Sequence, residues 1–353
     1  MNLSFIVPGD PDQRTGGYLY DARLVSELRA MGWSVTVISL DGRFPDADQL
    51  AVKAMATSLA TLPDQARVVI DGLALGAVPE AVQPHAKRLD MTALVHHPLA
   101  DETGIDPVLR ERLLACEQQA LAACRRVLVT SRFSALRLVE LGLCSTRPQI
   151  IEPGVDAAEL ARPVVRRLAG ENDNGPEVLL CVASLVPRKG QDVLVEALAG
   201  LSHKSWQCVL AGSLDRDPAY AARMLRAIEF AGLDNRIAVL GERSARQLAG
   251  DYQRASVCVL PSHYEGYGMV VTEALARGLP LICTTGGALV DTVPEGCGLK
   301  VDPGNSGALK NALEHWLDDP GLRLRLTRQA TQSRATLGSW PDAAASFARA
   351  LKR

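Results

Sequence analysis

Short apolar runs alternate with longer amphipathic stretches almost from one end of the sequence to the other, and the series runs through twice. Such alternation builds parallel sheets covered by helices on both faces, because doubly buried strands read as near-continuous apolar runs and their crossovers as helices. In the first half LSFIV, SVTVISL, ARVVIDG, MTALVHH, RVLVTS and PQIIEPG read as strands. Between the first two, GYLYDARLVSELRAMG carries Tyr20, Leu24 and Leu28 at helical spacing and stops at Gly32. After Gly154 the segment VDAAELARPVVRRLAGENDNGPE is polar and weakly periodic, and reads as a linker. The alternation then resumes with EVLLCVAS, WQCVLAG, RIAVLG, SVCVLP, PLICTT and GLKVD, and closes on a helical SWPDAAASFARALKR.

A chain of 353 residues exceeds what one core supports, so the expectation is two doubly wound α/β domains facing each other across a cleft. Their expected bounds are residues 1–160 and 172–336, with a terminal helix over 337–353 free to pack back on the first domain. In such sheets ligands sit beyond the carboxyl ends of the strands, so the loops after strands are where chemistry is sought.

A formal net charge of −2 supplies no field for nucleic acid, and 4% aromatic content gives little stacking surface. The eight cysteines are scattered without the close spacing of zinc or redox pairs, and read as buried thiols of a reducing cytoplasm. The opening MNLSFIVPGD is too short to span a bilayer and lacks the flanks of a signal peptide. The expectation is a cytoplasmic protein with at most peripheral membrane contact, since no strongly basic amphipathic segment stands out.

Four loops draw attention. PGDPDQRTGGYLYD follows the first strand and opens the first helix. Gly16 and Gly17 would let backbone amides approach an anion at the helix start, although a plain turn would read the same. His96 and His97 close the strand MTALVHH, where only one of two neighbours can face a given site. Adjacent histidines cannot easily share a metal, and no companion ligands stand at metal spacing. VASLVPRKGQDVLVEAL puts Arg188 and Lys189 at the mouth of a helix, which suits a diphosphate or merely a solvated basic turn. In PSHYEGYGMVVTEALARGLP, Glu265 lies in a loop and Glu273 on the next helix. The amides of Gly268, Met269 and Val270 stand between them to receive a phosphate, leaving one carboxylate for a ribose diol and the other for sugar hydroxyls.

The EGYG turn, the two glutamates with seven residues between them, TEALARGLP and TGGALVDTVPEGCGLKVDPGN together resemble the donor half of a retaining nucleotide-sugar glycosyltransferase of family 4, with the GT-B fold. The resemblance is strong over about residues 177–335 and weaker over the first 155. It implies that Lys189 binds the donor diphosphate, Glu273 the ribose, Glu265 the transferred sugar, and Gly16 with Gly17 a phosphate from the other domain. His96 resembles the family's active-site histidine, with His97 as its rival. Acceptor choice would fall to loops around residues 8–18, 71–78 and 97–108. The resemblance further implies a nucleoside diphosphate sugar as donor substrate, no cofactor or metal, and a glycan, lipid-linked or small-molecule acceptor.

Two positions depart from the family. Ser184 stands where an arginine is common, five residues before Lys189, and Arg188 is the candidate to supply the missing charge. Asp291 stands where a glutamate is usual. A sugar-nucleotide-binding protein that has lost catalysis is the alternative. A dinucleotide-dependent oxidoreductase would need a glycine fingerprint and a ribose-binding acid after the first strand, and neither is convincing here.

Overall fold

A computed structural model describes residues 1–102, 104–171 and 175–352. Thr103 in the 97–108 loop, the linker residues 172–174 (and with them the expected start of the second domain) and Arg353 lie outside the described residues. Each of the twelve apolar runs becomes a strand. The first six are β1 (Asn2–Pro8), β2 (Ser34–Leu40), β3 (Arg67–Asp71), β4 (Asp90–Val95), β5 (Arg126–Val129) and β6 (Gln149–Ile150). The second six are β7 (Glu177–Val182), β8 (Trp206–Ala211), β9 (Ile237–Val239), β10 (Val257–Leu260), β11 (Leu281–Thr284) and β12 (Gly298–Val301).

They form two six-stranded sheets, ordered β2-β1-β3-β4-β5-β6 and β12-β11-β10-β7-β8-β9. The strand pairs are parallel. Both are Rossmann-like, and in each the chain winds first to one side and then to the other. The reversal falls between β1 and β3 in the first sheet and between β7 and β10 in the second. At such a point neighbouring loops part and leave a crevice beyond the carboxyl ends of the strands.

Burial on both faces explains why the strands read as unbroken apolar runs. In the second sheet Leu179, Cys181, Val257 and Val259 join one core cluster. Their neighbours Leu180, Cys258 and Leu260 join another on the opposite face. Trp206 and Trp316 are fully enclosed in the first of these. The first sheet builds its own core from Ile6, Val68, Ile70, Met91, Ala93 and Val95. All eight cysteines are free, but Cys116, Cys124 and Cys144 are only half-buried, so the expectation of buried thiols holds for five of them.

The chain divides into two compact units, Met1–Gly154 with Gly338–Arg353, and Val155–Leu337. The terminal helix Trp340–Ala350 thus belongs to the first unit. Its Trp340 meets the edge of Tyr20 at 5.9 Å, and the Arg23 guanidinium lies 5.4 Å from the indole. Gly154 is needed where this helix begins, because a Cβ there would stand 2.2 Å from the Trp340 amide nitrogen.

The expected linker is not a free tether. Residues Arg162–Leu168 form a helix whose Val164 is buried in the second unit's core, and Arg334 reaches the Ala158 carbonyl at 2.6 Å. Two helical turns with one buried face give too short a period to register in the sequence. The strand MTALVHH also ends sooner than expected: β4 stops at Val95, so His96 and His97 lie in the loop beyond it.

Candidate active site

The second unit's site grows from the loops after β7 and β10, one on each side of the sheet's reversal. Pro187–Lys189 makes a single tight turn ended by Gly190 at φ +65°, and a Cβ on Gly190 would lie 2.2 Å from the Pro261 carbonyl oxygen. Only glycine suits both that backbone and that approach. The two loops are then stitched together: the His263 amide donates to the Arg188 carbonyl at 2.8 Å, and the Arg188 guanidinium donates to the Tyr264 carbonyl at 2.9 Å.

This stitching aims charge at one carboxylate. Lys189 Nζ donates to Glu265 Oε1 at 2.6 Å, Ser262 Oγ donates to the same oxygen at 2.7 Å, and Arg188 stands 3.8 Å from Oε2. Burial alone would push the Glu265 carboxyl up, but the two cations outweigh it and hold it below its usual value. Burial pulls the Lys189 ammonium down, and with the smaller push from neighbouring Arg188 it outweighs what Glu265 restores. The double glycine of TGG supports Glu265 from behind. A Cβ on Gly287 would lie 2.3 Å from the Glu265 carbonyl oxygen, and the Ala288 amide donates to that oxygen at 2.8 Å.

Gly268, at φ +87°, then caps the helix Met269–Ala276. The first helical bond runs from the Val271 amide to the Gly268 carbonyl, so the amides of Gly268, Met269 and Val270 lie ahead of it, as the opening donors of any helix do. Glu273 follows one turn later. Its Oε2 accepts from the Tyr252 phenol at 2.8 Å, and burial pushes its pKa up against that bond and Arg277. Arg188, Lys189, Glu265, Gly268, Met269, Val270 and Glu273 are thus carried by two neighbouring loops and one helix of a single unit.

The first unit gathers a different set. Gly16 and Gly17 open the helix Gly16–Ala30; nothing lies within 4 Å of a Cβ on Gly16, whereas one on Gly17 would stand 3.2 Å from the His96 ring. His96 Nε2 is 3.2 Å from Asp21 Oδ1 and 3.4 Å from Asp71 Oδ2. Tyr20 meets the ring edge-on at 5.3 Å, and the His96 carbonyl accepts from Thr130 Oγ1 and Ser134 Oγ. Burial would hold the imidazole neutral, but the two carboxylates outweigh it and its pKa rises to about 10. His97 instead pairs with Glu102 at 3.2 Å. Of the two histidines, His96 is the one packed against Gly17.

Asp21 and Asp71 were not singled out in the sequence. Asp21 stands one helical turn after Gly17, and Asp71 closes the apolar run of β3 just before a glycine, which is the only trace of them. With His96 they form the one group among the described residues whose donor atoms, all within 4.8 Å of one another, gather closely enough for a metal ion. This corrects the expectation that His96 lacks companion ligands. A metal would have to displace the proton that the two acids hold on Nε2, which opposes that use. A separate recess in the first unit, lined by Arg125, Arg126 and Arg147, opens at the amino ends of β5 and β6, the wrong edge for this chemistry. No described helix is long and apolar enough to cross a membrane.

Residues 167–333 match the family model described as glycosyl transferases group 1, a span that includes Arg188, Lys189, Glu265 and Glu273. A D-inositol 3-phosphate glycosyltransferase of Xylanimonas cellulosilytica is 32% identical over 253 residues, covering 67% of this chain and 60% of that protein. The chain therefore spans about three fifths of the length of this curated relative. Among solved structures, sucrose-phosphate synthase from Thermosynechococcus elongatus superposes with a TM-score of 0.80 at 23% identity, over 99% of this chain and 97% of that one. Anabaena Alr3699/HepE in complex with UDP-glucose gives 0.77 at 18% identity, over 100% and 99%. The second unit carries a glycosyl transferases group 1 region, in a chain with the two-domain GT-B fold.

Proposed function

We propose that this chain is a retaining glycosyltransferase of family 4, moving a sugar from a nucleoside diphosphate sugar to a hydroxyl of a glycan, lipid-linked or small-molecule acceptor. The observation that carries the reading is the convergence of Lys189, Arg188 and the Met269–Ala276 helix start around Glu265. Cations and helix amides aimed at one place suit a departing diphosphate, whose growing charge they stabilise without reorganising. Glu273 would take the ribose diol, Glu265 the transferred sugar, and Gly16 with Gly17 a donor phosphate.

In this reading the bond from the anomeric carbon to the phosphate oxygen breaks as the acceptor oxygen attacks from the same face, and the acceptor's proton passes to the departing phosphate oxygen. No carboxylate nucleophile is required, unlike in retaining glycosidases. The protein's cations replace a metal at the diphosphate, so activity should survive chelation. Arg188 stands in for the arginine that Ser184 lacks. Eight free cysteines fit work in a reducing compartment such as the cytoplasm.

The names of the similar proteins set the first assay: UDP-glucose as donor and inositol 3-phosphate as acceptor, followed by wider panels. Acceptor-dependent release of nucleotide supports catalysis over mere binding. Retention is read from the anomeric configuration of the first-formed product by NMR, and an inverted product would sink that part of the reading.

A further inference from the structure

An acid beside a histidine has two opposite uses. In a dyad, one carboxylate fixes the N–H of one ring nitrogen and leaves the other nitrogen as a base. Around His96 the count differs, because two carboxylates face the same nitrogen, at 3.2 and 3.4 Å from Nε2. Asp21 is 3% exposed and Asp71 5%, and among the described residues neither has an ion-pair partner other than His96. A neutral ring offers one N–H and no charge, which leaves a buried carboxylate uncompensated. A doubly protonated ring satisfies the nitrogen between the acids and supplies the missing positive charge.

The cluster is also built to stay in place. Asp71 Oδ1 accepts from the Leu73 amide at 2.7 Å, which turns Oδ2 toward the ring. Asp21 lies in the helix that Gly17 opens, and Gly17 is tight against the ring itself. The ring's titratable neighbours are Tyr20 and Asp21 from that helix and Asp71 from the end of β3; Thr130 and Ser134 hold only its carbonyl. Tyr20 is itself tied, its hydroxyl donating to the Ile151 carbonyl at 2.8 Å.

We propose that Asp21 and Asp71 are positioning residues that hold His96 as an oriented imidazolium, so that Nδ1–H serves as a fixed cationic donor and the ring is not the base that takes the acceptor's proton. The proposal rests on the reading of His96 as an active-site residue of a glycosyltransferase. His96 keeps its proton throughout, while the acceptor's proton leaves with the phosphate oxygen. The upward pull of both acids on the imidazole agrees with this, even against burial. The same burial pushes Asp21 up, so Asp71 is the acid that stays ionised more firmly.

The test is a titration of the full chain with isotope-labelled histidine, the His96 ring being assigned by its loss in His96→Gln. The ring is expected to remain cationic to about pH 9, and in Asp71→Asn its midpoint falls by about 2 pH units. A wild-type ring that titrates at or below about pH 7, the ordinary range of histidine, overturns the proposal without any variant having to fold. Transfer rates give a second readout. In Asp71→Asn, kcat should fall as pH rises past the new midpoint, with the donor KM unchanged. If kcat instead rises as the ring loses its proton, His96 is a base and the proposal fails. The underlying reading fails separately: a cationic ring in a protein that no nucleotide stabilises and that transfers no sugar supports the hold of the two aspartates and removes the transferase.

Discussion

The two units solve the problem of a buried carboxylate in opposite ways. In the second, one acid, Glu265, is met by two cations, Lys189 and Arg188. In the first, one ring, His96, is met by two acids. Glu117, also in the first unit, meets no cation among the described residues: its Oε2 accepts from the Leu99 amide at 3.0 Å, Oε1 has no hydrogen-bond partner among them, and burial pushes its pKa to about 8. Equal burial therefore yields an ionised glutamate in one place and a neutral one in the other. Around Glu265 the cations outnumber the acid, a local surplus that the proposed diphosphate would meet.

The largest effect should come from removing that surplus. Lys189→Ala is expected to lower kcat by about 10²- to 10³-fold, the usual scale for one preorganised donor to a developing charge. Nucleotide release assays measure it, and an unchanged rate would remove Lys189 and the loop that bears it from the reaction. Glu117→Gln probes the contrasting acid through stability. Its folded pKa lies above the ordinary 4.5, so its burial costs nothing below that pH, and the cost grows until about pH 8. The variant should melt like the wild type near pH 4 and several degrees higher near pH 9; a difference that shrinks with rising pH contradicts the neutral assignment. Glu265 carries the reverse sign, its depressed pKa giving stability above the ordinary value that is lost as pH falls through the folded one.

Glu273→Gln should raise the donor KM by about tenfold, since a hydrogen bond to a charged group is worth about 1.5 kcal/mol at its lower end. A change confined to kcat would place Glu273 elsewhere than on the ribose. The smallest effect is expected for Arg188→Ala, a loss of about three- to tenfold in turnover, the residue being tied to Tyr264 and standing 3.8 Å from Glu265. Adding Ser184→Arg to that variant should recover the loss if the two positions exchange one charge.

Most of this architecture was legible because the central strands, such as β4, β10 and β11, are buried on both faces and read as apolar runs. The charged loops were legible for a related reason. Gly190, Gly268 and Gly287 are held at positive φ, and glycines at such places leave a mark in the sequence beside the residues they serve. What stayed hidden has no local mark. Asp21 and Asp71 meet over His96 from points fifty residues apart, and each alone resembles an ordinary solvated acid. The segment before β7 reads as a linker because its polar residues outnumber the few apolar ones, Leu160, Ala161, Val164 and Leu168, that pack on the second unit's core. The histidines follow β4 and do not end it, so the alternation of a strand could not distinguish them; their partners differ, Asp21 and Asp71 for His96 and Glu102 for His97.

The terminal helix Trp340–Ala350 has one more consequence. The second unit is a single uninterrupted stretch, Val155–Leu337, whereas the first needs residues 338 onward to cover Tyr20 and the helix that bears Asp21. During synthesis the first unit therefore cannot close over Tyr20 until the whole of the second unit's stretch and the helix after it have been made. The cluster around His96 thereby acquires its native surroundings only after the uninterrupted second unit has been synthesised.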